Sequence, residues 1–239
     1  MAVVEYELRD GVATIALDDG KVNALSVETL RELHGALEQA ARDEAVTILR
    51  GREGCFSAGF DTRTFGEGAE RVVEMLTLGA TLCERILSHP RPVLVACSGH
   101  ALAAGAFLPL SADARIGAEG PFQIGLNEAR IGLTVPWFAI ELARARLAPA
   151  HFDRAVGCAH VYDPAGAVAA GFLDRLVPAE ALREESLAAA RSLAELDARA
   201  HHASKLRVRR EQLRALREAI ETELTLDGLA TAQAEPAAR

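Results

Sequence analysis

The sequence predicts an α/β fold whose sheet faces are covered. Three observations carry this. Strand-like and helix-like stretches alternate along the first 120 or so residues; the runs "VTILRG" and "PVLVACSG" are largely apolar, as strands buried on both faces are; and the chain opens on a hairpin pattern. The hairpin mixed into the series fits a plain doubly wound sheet less well.

"VVEYELRDGVATIAL" alternates apolar and polar residues on both sides of Asp10-Gly11, a dipeptide suited to tight reversal, which predicts two antiparallel strands. "KVNALS" reads as a loop. Ser26 then caps a predicted helix, with Val27, Leu30, Leu33 and Leu37 on one face and Glu28 in the favourable first turn. After the strand "VTILRG" a second helix is predicted over roughly residues 70 to 88, followed by the strand "PVLVACSG" behind Pro90 and Pro92. A glycine-alanine loop, a short helix and the strand "ARIGA" come next. Beyond Pro136 the pattern is almost entirely helical. Leu213, Leu216, Ile220 and Leu224 mark one face of a late helix, a stripe that must meet its own core or a neighbouring subunit, with the subunit favoured. Arg207, Arg209, Arg210, Glu211, Arg214 and Arg217 are read as the solvated side of that helix, and "ATAQAEPAAR" as a frayed tail.

Bulk composition bounds the function. A chain of 239 residues, 50% hydrophobic, is long enough for one sizeable core. Net charge is −8, and the only lysines are Lys21 and Lys205, so no basic face for nucleic acid is expected. The N-terminal stretch lacks a basic start leading into a continuous apolar run, and no apolar stretch of roughly 18 residues occurs. The expectation is therefore a cytoplasmic protein with no membrane partner. Cys55, Cys83, Cys97 and Cys158 are far apart without CxxC spacing and are read as reduced, buried thiols, neither a disulfide frame nor a metal site. His201 and His202 are adjacent, so on a helix their rings diverge; surface placement is expected.

Two short stretches could hold a developing anion. "CFSAGFD", residues 55 to 61, follows a buried strand and is built of small residues that let backbone N–H groups approach a ligand. "GHALAAGAF", residues 99 to 107, follows another and leads into a helix N-terminus, with free donors and a positive dipole end. "GCFSAG" misses the GxSxG nucleophile elbow by one position, and no GxxxxGK[ST], GxGxxG or HExxH pattern is present. A lone acid, Glu128, stands in the apolar segment "FQIGLNEARIGLTVPWF". It either works as a proton carrier or pairs at the surface with Arg130.

"FSAGFD", "GHALAAGAFLPLSADARIG" and "IGLNEARIGL", in this order and spacing, resemble the enoyl-CoA hydratase/isomerase or crotonase superfamily. "KVNALS" and "DPAGAVAAGFLDRLVP" extend the resemblance over roughly residues 3 to 180. It implies a spiral of ββα units with a C-terminal helical region: an acyl-CoA-binding core over residues 1–195, then residues 196–239 in contacts of a homotrimer or dimer of trimers. The implied substrate is an acyl-CoA, with coenzyme A entering as part of the thioester and no separate cofactor or metal.

By motif position, the resemblance places the thioester oxygen between the backbone N–H groups of Phe60 and Ala104, the latter more often glycine in the family. Hydratases of the family carry two glutamates. Here Phe107 stands at the first position, and Glu128, after Asn127 where proline is common, at the second. One base suffices to move a double bond from C3 to C2, because the proton leaving C2 returns at C4. The wording "IGLNE…IG" followed by "VPWF" is similar to mitochondrial-type Δ3,Δ2-enoyl-CoA isomerases, which also carry an apolar residue at the place of Phe107. Isomerisation is the leading expectation, with a low-activity hydratase, another enolate reaction or a non-catalytic acyl-CoA binder as alternatives. The expected pocket adds Ala58, Gly59, Asp61, Gly105, Trp137 and Phe138 to Phe107, and burial among Phe107, Phe122, Trp137 or Phe138 should raise the Glu128 pKa. Asp61 is read as ordering its loop, Asp113 as structural, His100 as packing, and Arg63 as a solvated residue or a contact for the CoA phosphates.

Overall fold

The computed structural model describes residues 3–234. The opening hairpin forms as read: β1 (Val4–Arg9) and β2 (Val12–Leu17) pair antiparallel around Asp10-Gly11, both with positive φ. β3 (Ala24–Leu25) leads into α1 (Val27–Arg42), and Ser26 caps this helix by accepting the Thr29 N–H at 3.1 Å. Then come β4 (Val46–Arg50), β5 (Gly54–Ser57), β6 (Gly59–Phe60), a 3-10 turn (Thr62–Gly66) and α2 (Ala69–Ser88). β7 (Val93–Cys97), β8 (Gly99–Leu102), α3 (Ala104–Ser111), β9 (Ala114–Ala118) and β10 (Ile124–Gly125) follow. The rest is α4 (Trp137–Arg146), α5 (Pro149–Val156), α6 (Pro164–Ala170), β11 (Arg175–Val177), α7 (Leu182–Ala194), α8 (Ala198–Val208), α9 (Arg210–Glu223) and α10 (Leu226–Ala234).

The strand order shows why a doubly wound sheet does not describe the chain. A six-stranded sheet runs β1-β2-β4-β7-β9-β11, parallel from β2 onward, while β5, β8 and β10 form a second, parallel sheet in the order β10-β8-β5. Each of β4, β7 and β9 is thus followed by a strand in the smaller sheet, so successive ββα units advance as a spiral. Part of the stretch read as a glycine-alanine loop is β8, whose small residues let Gly99 pass against the Gly54 backbone: a Cβ on Gly99 would lie 2.0 Å from the Gly54 carbonyl carbon. The main core lies between the sheets and α1, α2, α3 and α4; the other face of the large sheet is covered by α7.

Several expectations are corrected. Leu213 and Leu216 of α9 are buried against α2 and α4 of the same chain, so the stripe does not need a neighbouring subunit. Arg209 is no part of a solvated face: it is buried, drawn in by Asp113. Cys83 and Cys97 are buried, their thiols pushed up to about 12 by loss of water, but Cys55 is half-buried and Cys158 exposed. His201 and His202 are half-buried, and His202 meets the Ser88 carbonyl. The expected tail is helical to Ala234; residues 235–239 lie outside the described residues. No helix among the described residues is long and apolar enough to cross a membrane.

Candidate active site

The two small-residue stretches meet. The Ser57 hydroxyl donates to the Asn23 carbonyl at 2.7 Å and accepts the Gly59 N–H at 3.1 Å, which folds the β5–β6 junction tightly. Gly59 has φ +97°, and a Cβ there would come within 3.0 Å of the Ala103 Cβ, the Ala104 nitrogen and the Leu102 oxygen. On the other side a Cβ on Gly105 would lie 2.2 Å from the Ser57 carbonyl oxygen. Glycine at both places lets residues 57–60 lie directly against the start of α3.

Each segment brings a backbone donor. The Asp61 N–H goes to the Leu25 carbonyl at 3.2 Å; successive N–H groups of an extended strand face opposite edges, so that of Phe60 faces away from β3. Ala104 opens α3, where a first-turn N–H has no intrahelical acceptor, and Ala103 gives no side-chain cap. Ala103 itself is held at φ 48°, ψ −128°, a region costly for an L-residue, by its N–H to Gly125 and its carbonyl to the Ala106 N–H. This strain sits one residue before the candidate donor.

A cavity of about 700 Å³ opens beside this junction, and Ala58, Phe60, Ala103, Phe107 and Glu128 all line it. Glu128 begins the 3-10 turn Glu128–Ile131 and is 5% exposed. Its Oε2 is buried with no hydrogen-bond partner. Burial pushes its pKa up to about 7, against a smaller opposing effect of its own N–H. The surface pairing with Arg130 does not form, because the Arg130 guanidinium donates through Nε to the Ala159 carbonyl at 2.7 Å.

The aromatic enclosure differs from that expected. Phe107 does line the cavity, stacked edge-on between Phe60 (centroids 6.3 Å apart) and Phe138 (5.5 Å), so Phe60 takes part in the wall while Phe138 is fully buried behind it. Trp137 is 59% exposed and outside the lining. Phe122 packs on His100 and lines a separate cavity against α7. Gly59, Asp61, Ala104 and Gly105 frame the junction and do not themselves line the cavity. Asp61 caps the turn Thr62–Gly66 and pairs with Arg63 at 2.6 Å, the guanidinium holding its carboxyl below the usual range.

One charged lining residue was not expected: Glu223, at the end of α9, whose Oε2 accepts the Trp137 N–H at 2.7 Å. Leu224, Leu226, Leu229 and Ala230 close the same side, while Phe65, Val72 and Leu76 form the wall from the 3-10 turn and α2. The leucine stripe shows that α9 buries a face; nothing local in the sequence says that the end of this helix reaches a cavity formed some hundred residues earlier.

Residues 7–236 match the sequence profile of the family described as enoyl-CoA hydratase/isomerase. Human mitochondrial enoyl-CoA delta isomerase 1 is 30% identical over 192 residues, 78% of this chain. The matched region spans 64% of that relative's length. A crystal structure of an enoyl-CoA hydratase/isomerase family protein from Pseudomonas syringae superposes with a TM-score of 0.91 at 48% identity, covering 93% of this chain and 96% of that one. A probable enoyl-CoA hydratase from Mycobacterium tuberculosis gives a TM-score of 0.93 at 38% identity, covering 97% and 99%. Relatives carrying either half of the family name therefore share the architecture, and with its ββα spiral, apposed small-residue loops and buried Glu128 this chain belongs to the enoyl-CoA hydratase/isomerase family.

Proposed function

We propose that the chain binds an acyl-CoA thioester with its carbonyl oxygen between the Phe60 and Ala104 N–H groups, and isomerises a 3-enoyl-CoA to the 2-enoyl-CoA with Glu128 as the sole acid/base. The observation that carries this reading is the buried Glu128 carboxylate, its Oε2 without a hydrogen-bond partner, on a cavity where Phe107 stands at the place of the second acid. In the first step Glu128 takes a proton from C2, and the electron pair moves onto the thioester oxygen, giving a dienolate. The two N–H groups stabilise that charge. In the second step Glu128 returns the proton at C4, the electrons flow back, and the double bond stands between C2 and C3. A pKa near 7 suits a group that must both accept and return a proton.

Hydration is the second reading, favoured by the presence of Glu223 on the same cavity. One assay separates the two. Wild type, Glu128→Gln and Glu223→Gln are incubated with a 3-enoyl-CoA and, separately, with a 2-enoyl-CoA, and products are identified by mass and retention. The isomerase reading expects the 2-enoyl product from the first substrate and no water added to the second. It also expects a loss of about 10² to 10⁴ in rate for Glu128→Gln, with thioester binding kept. A 3-hydroxyacyl-CoA product that depends on Glu223 would replace it by hydration. Binding without turnover in wild type would point to a non-catalytic acyl-CoA binder.

A further inference from the structure

α3 has chemistry at both ends. Its first N–H, on Ala104, belongs to the junction beside the cavity; its last carbonyls are met by cations from other elements. Arg146, at the end of α4, donates through Nε to the Leu110 carbonyl at 3.3 Å and through Nη2 to that of Ala112. Arg209, between α8 and α9, donates to the Leu87 carbonyl at 2.8 Å and to that of Ala112 at 3.3 Å. Lys205 pairs with Asp113 at 2.7 Å with its side chain 2% exposed, and Arg209 reaches the same carboxylate at 3.0 Å. Nearby Arg115 is matched by Asp174.

Two cations thus share one carboxylate, and Arg146 lies beside them on the same helix end. Burial disfavours each of them, bringing Lys205 to about 8 and Arg146 to about 10 and lowering Arg209. Carbonyl capping alone does not need this, because uncharged donors satisfy helix-end carbonyls as well. Arg146 stands apart from the other two: among the described residues it makes no ion pair, so its charge is not cancelled by a contacting carboxylate.

We propose that Arg146 is a positioning residue for the enolate, its positive charge offsetting the negative end of the α3 dipole and raising the potential at the Ala104 N–H. The inference rests on the assignment of that N–H to the thioester oxygen. Eight helical residues span about 12 Å, and the partial charges of a helix sit at its two ends. A unit charge about 15 Å from the developing oxyanion, at an effective dielectric near 20, is worth roughly a fivefold change in rate.

The test is spectroscopic and kinetic. Cinnamoyl-CoA, a conjugated thioester whose absorbance moves to longer wavelength as its carbonyl is polarised, is bound to wild type, Arg146→Met and Arg146→Lys, each first shown to be folded by thermal unfolding. The expected result is a red shift in wild type, a smaller one in Arg146→Met, and recovery in Arg146→Lys. On a 3-enoyl-CoA, kcat falls roughly fivefold in Arg146→Met with KM little changed. Equal shifts in all three proteins overturn the inference and leave the thioester site standing. Equal losses in Met and Lys variants also overturn it, since charge is then not the cause. A bound but unshifted wild-type spectrum overturns the oxyanion assignment and this inference with it.

Discussion

Glu128 is 5% exposed and no protein group hydrogen-bonds its Oε2, so ionising it is costly, and that cost sets its behaviour with pH. Its folded pKa, about 7, lies above the ordinary 4.5, so between these values the folded protein holds a proton that the unfolded chain has released. The contribution to stability is therefore complete below about pH 4.5 and is lost as pH rises through 7. Glu128→Gln cannot ionise, so relative to wild type it should gain up to about 3 kcal/mol between pH 4 and pH 8. Denaturant unfolding at the two pH values measures this, and a pH-independent difference would mean the carboxyl is not desolvated. For the proposed isomerisation, the same pKa predicts a wild-type rate that rises with pH and levels off above about 7. Gly59 gives a second prediction at this scale. With φ +97° and a would-be Cβ 3.0 Å from the Ala104 nitrogen, Gly59→Ala should cost roughly 1–3 kcal/mol in stability. It should also cut activity by more than tenfold, because the strain is relieved by parting the two donors. Unchanged kinetics would show that residues 57–60 and 102–105 do not act together.

Asp113 shows what one carboxylate does for several elements. It follows α3, accepts the Val93 N–H of β7 at 2.7 Å, and anchors Lys205 of α8 and Arg209 before α9. Asp113→Asn keeps the shape and removes the charge, leaving two buried cations uncompensated; a loss of about 3–5 kcal/mol is expected by chemical denaturation. A change under about 1 kcal/mol would mean that water already screens the cluster. Elements of this kind are legible in sequence only where they carry their own period. The hairpin, the Ser26 cap and the long α2 were readable because alternation, capping chemistry and helical spacing are local. β3, β6 and β10 have two residues each, too few for any period, and exist through pairing with distant strands. Arg209 was misread for the same reason: its sequence neighbours are solvated arginines, and the carboxylate that buries it lies 96 positions away.

At the scale of the molecule, the spiral gathers loops from successive ββα units at one place, and the chain returns after α7 to close the cavity they leave. The motif loops and Glu128 were legible because small residues after apolar strands, and a lone acid in an apolar segment, are unusual locally. The closing wall was not, because the stripe on α9 specifies a buried face and not the surface it meets. That wall ties the last helices to the chemistry. Leu226, Leu229 and Ala230 of α10 line the cavity with Glu128, yet of these only Leu229 packs at the edge of the main core. A chain ending at residue 224 should therefore keep the spiral and its cooperative unfolding while admitting water to the cavity. With desolvation relieved, the Glu128 pKa should fall from about 7 toward 4.5, moving the acid limb of the rate profile to lower pH. KM for a long-chain thioester should rise as apolar wall is lost. An acid limb that stays near 7 in the shortened, folded protein would place the desolvation of Glu128 in Phe60, Phe107 and the 3-10 turn alone, and α10 would then be a wall for the substrate without a hold on the proton.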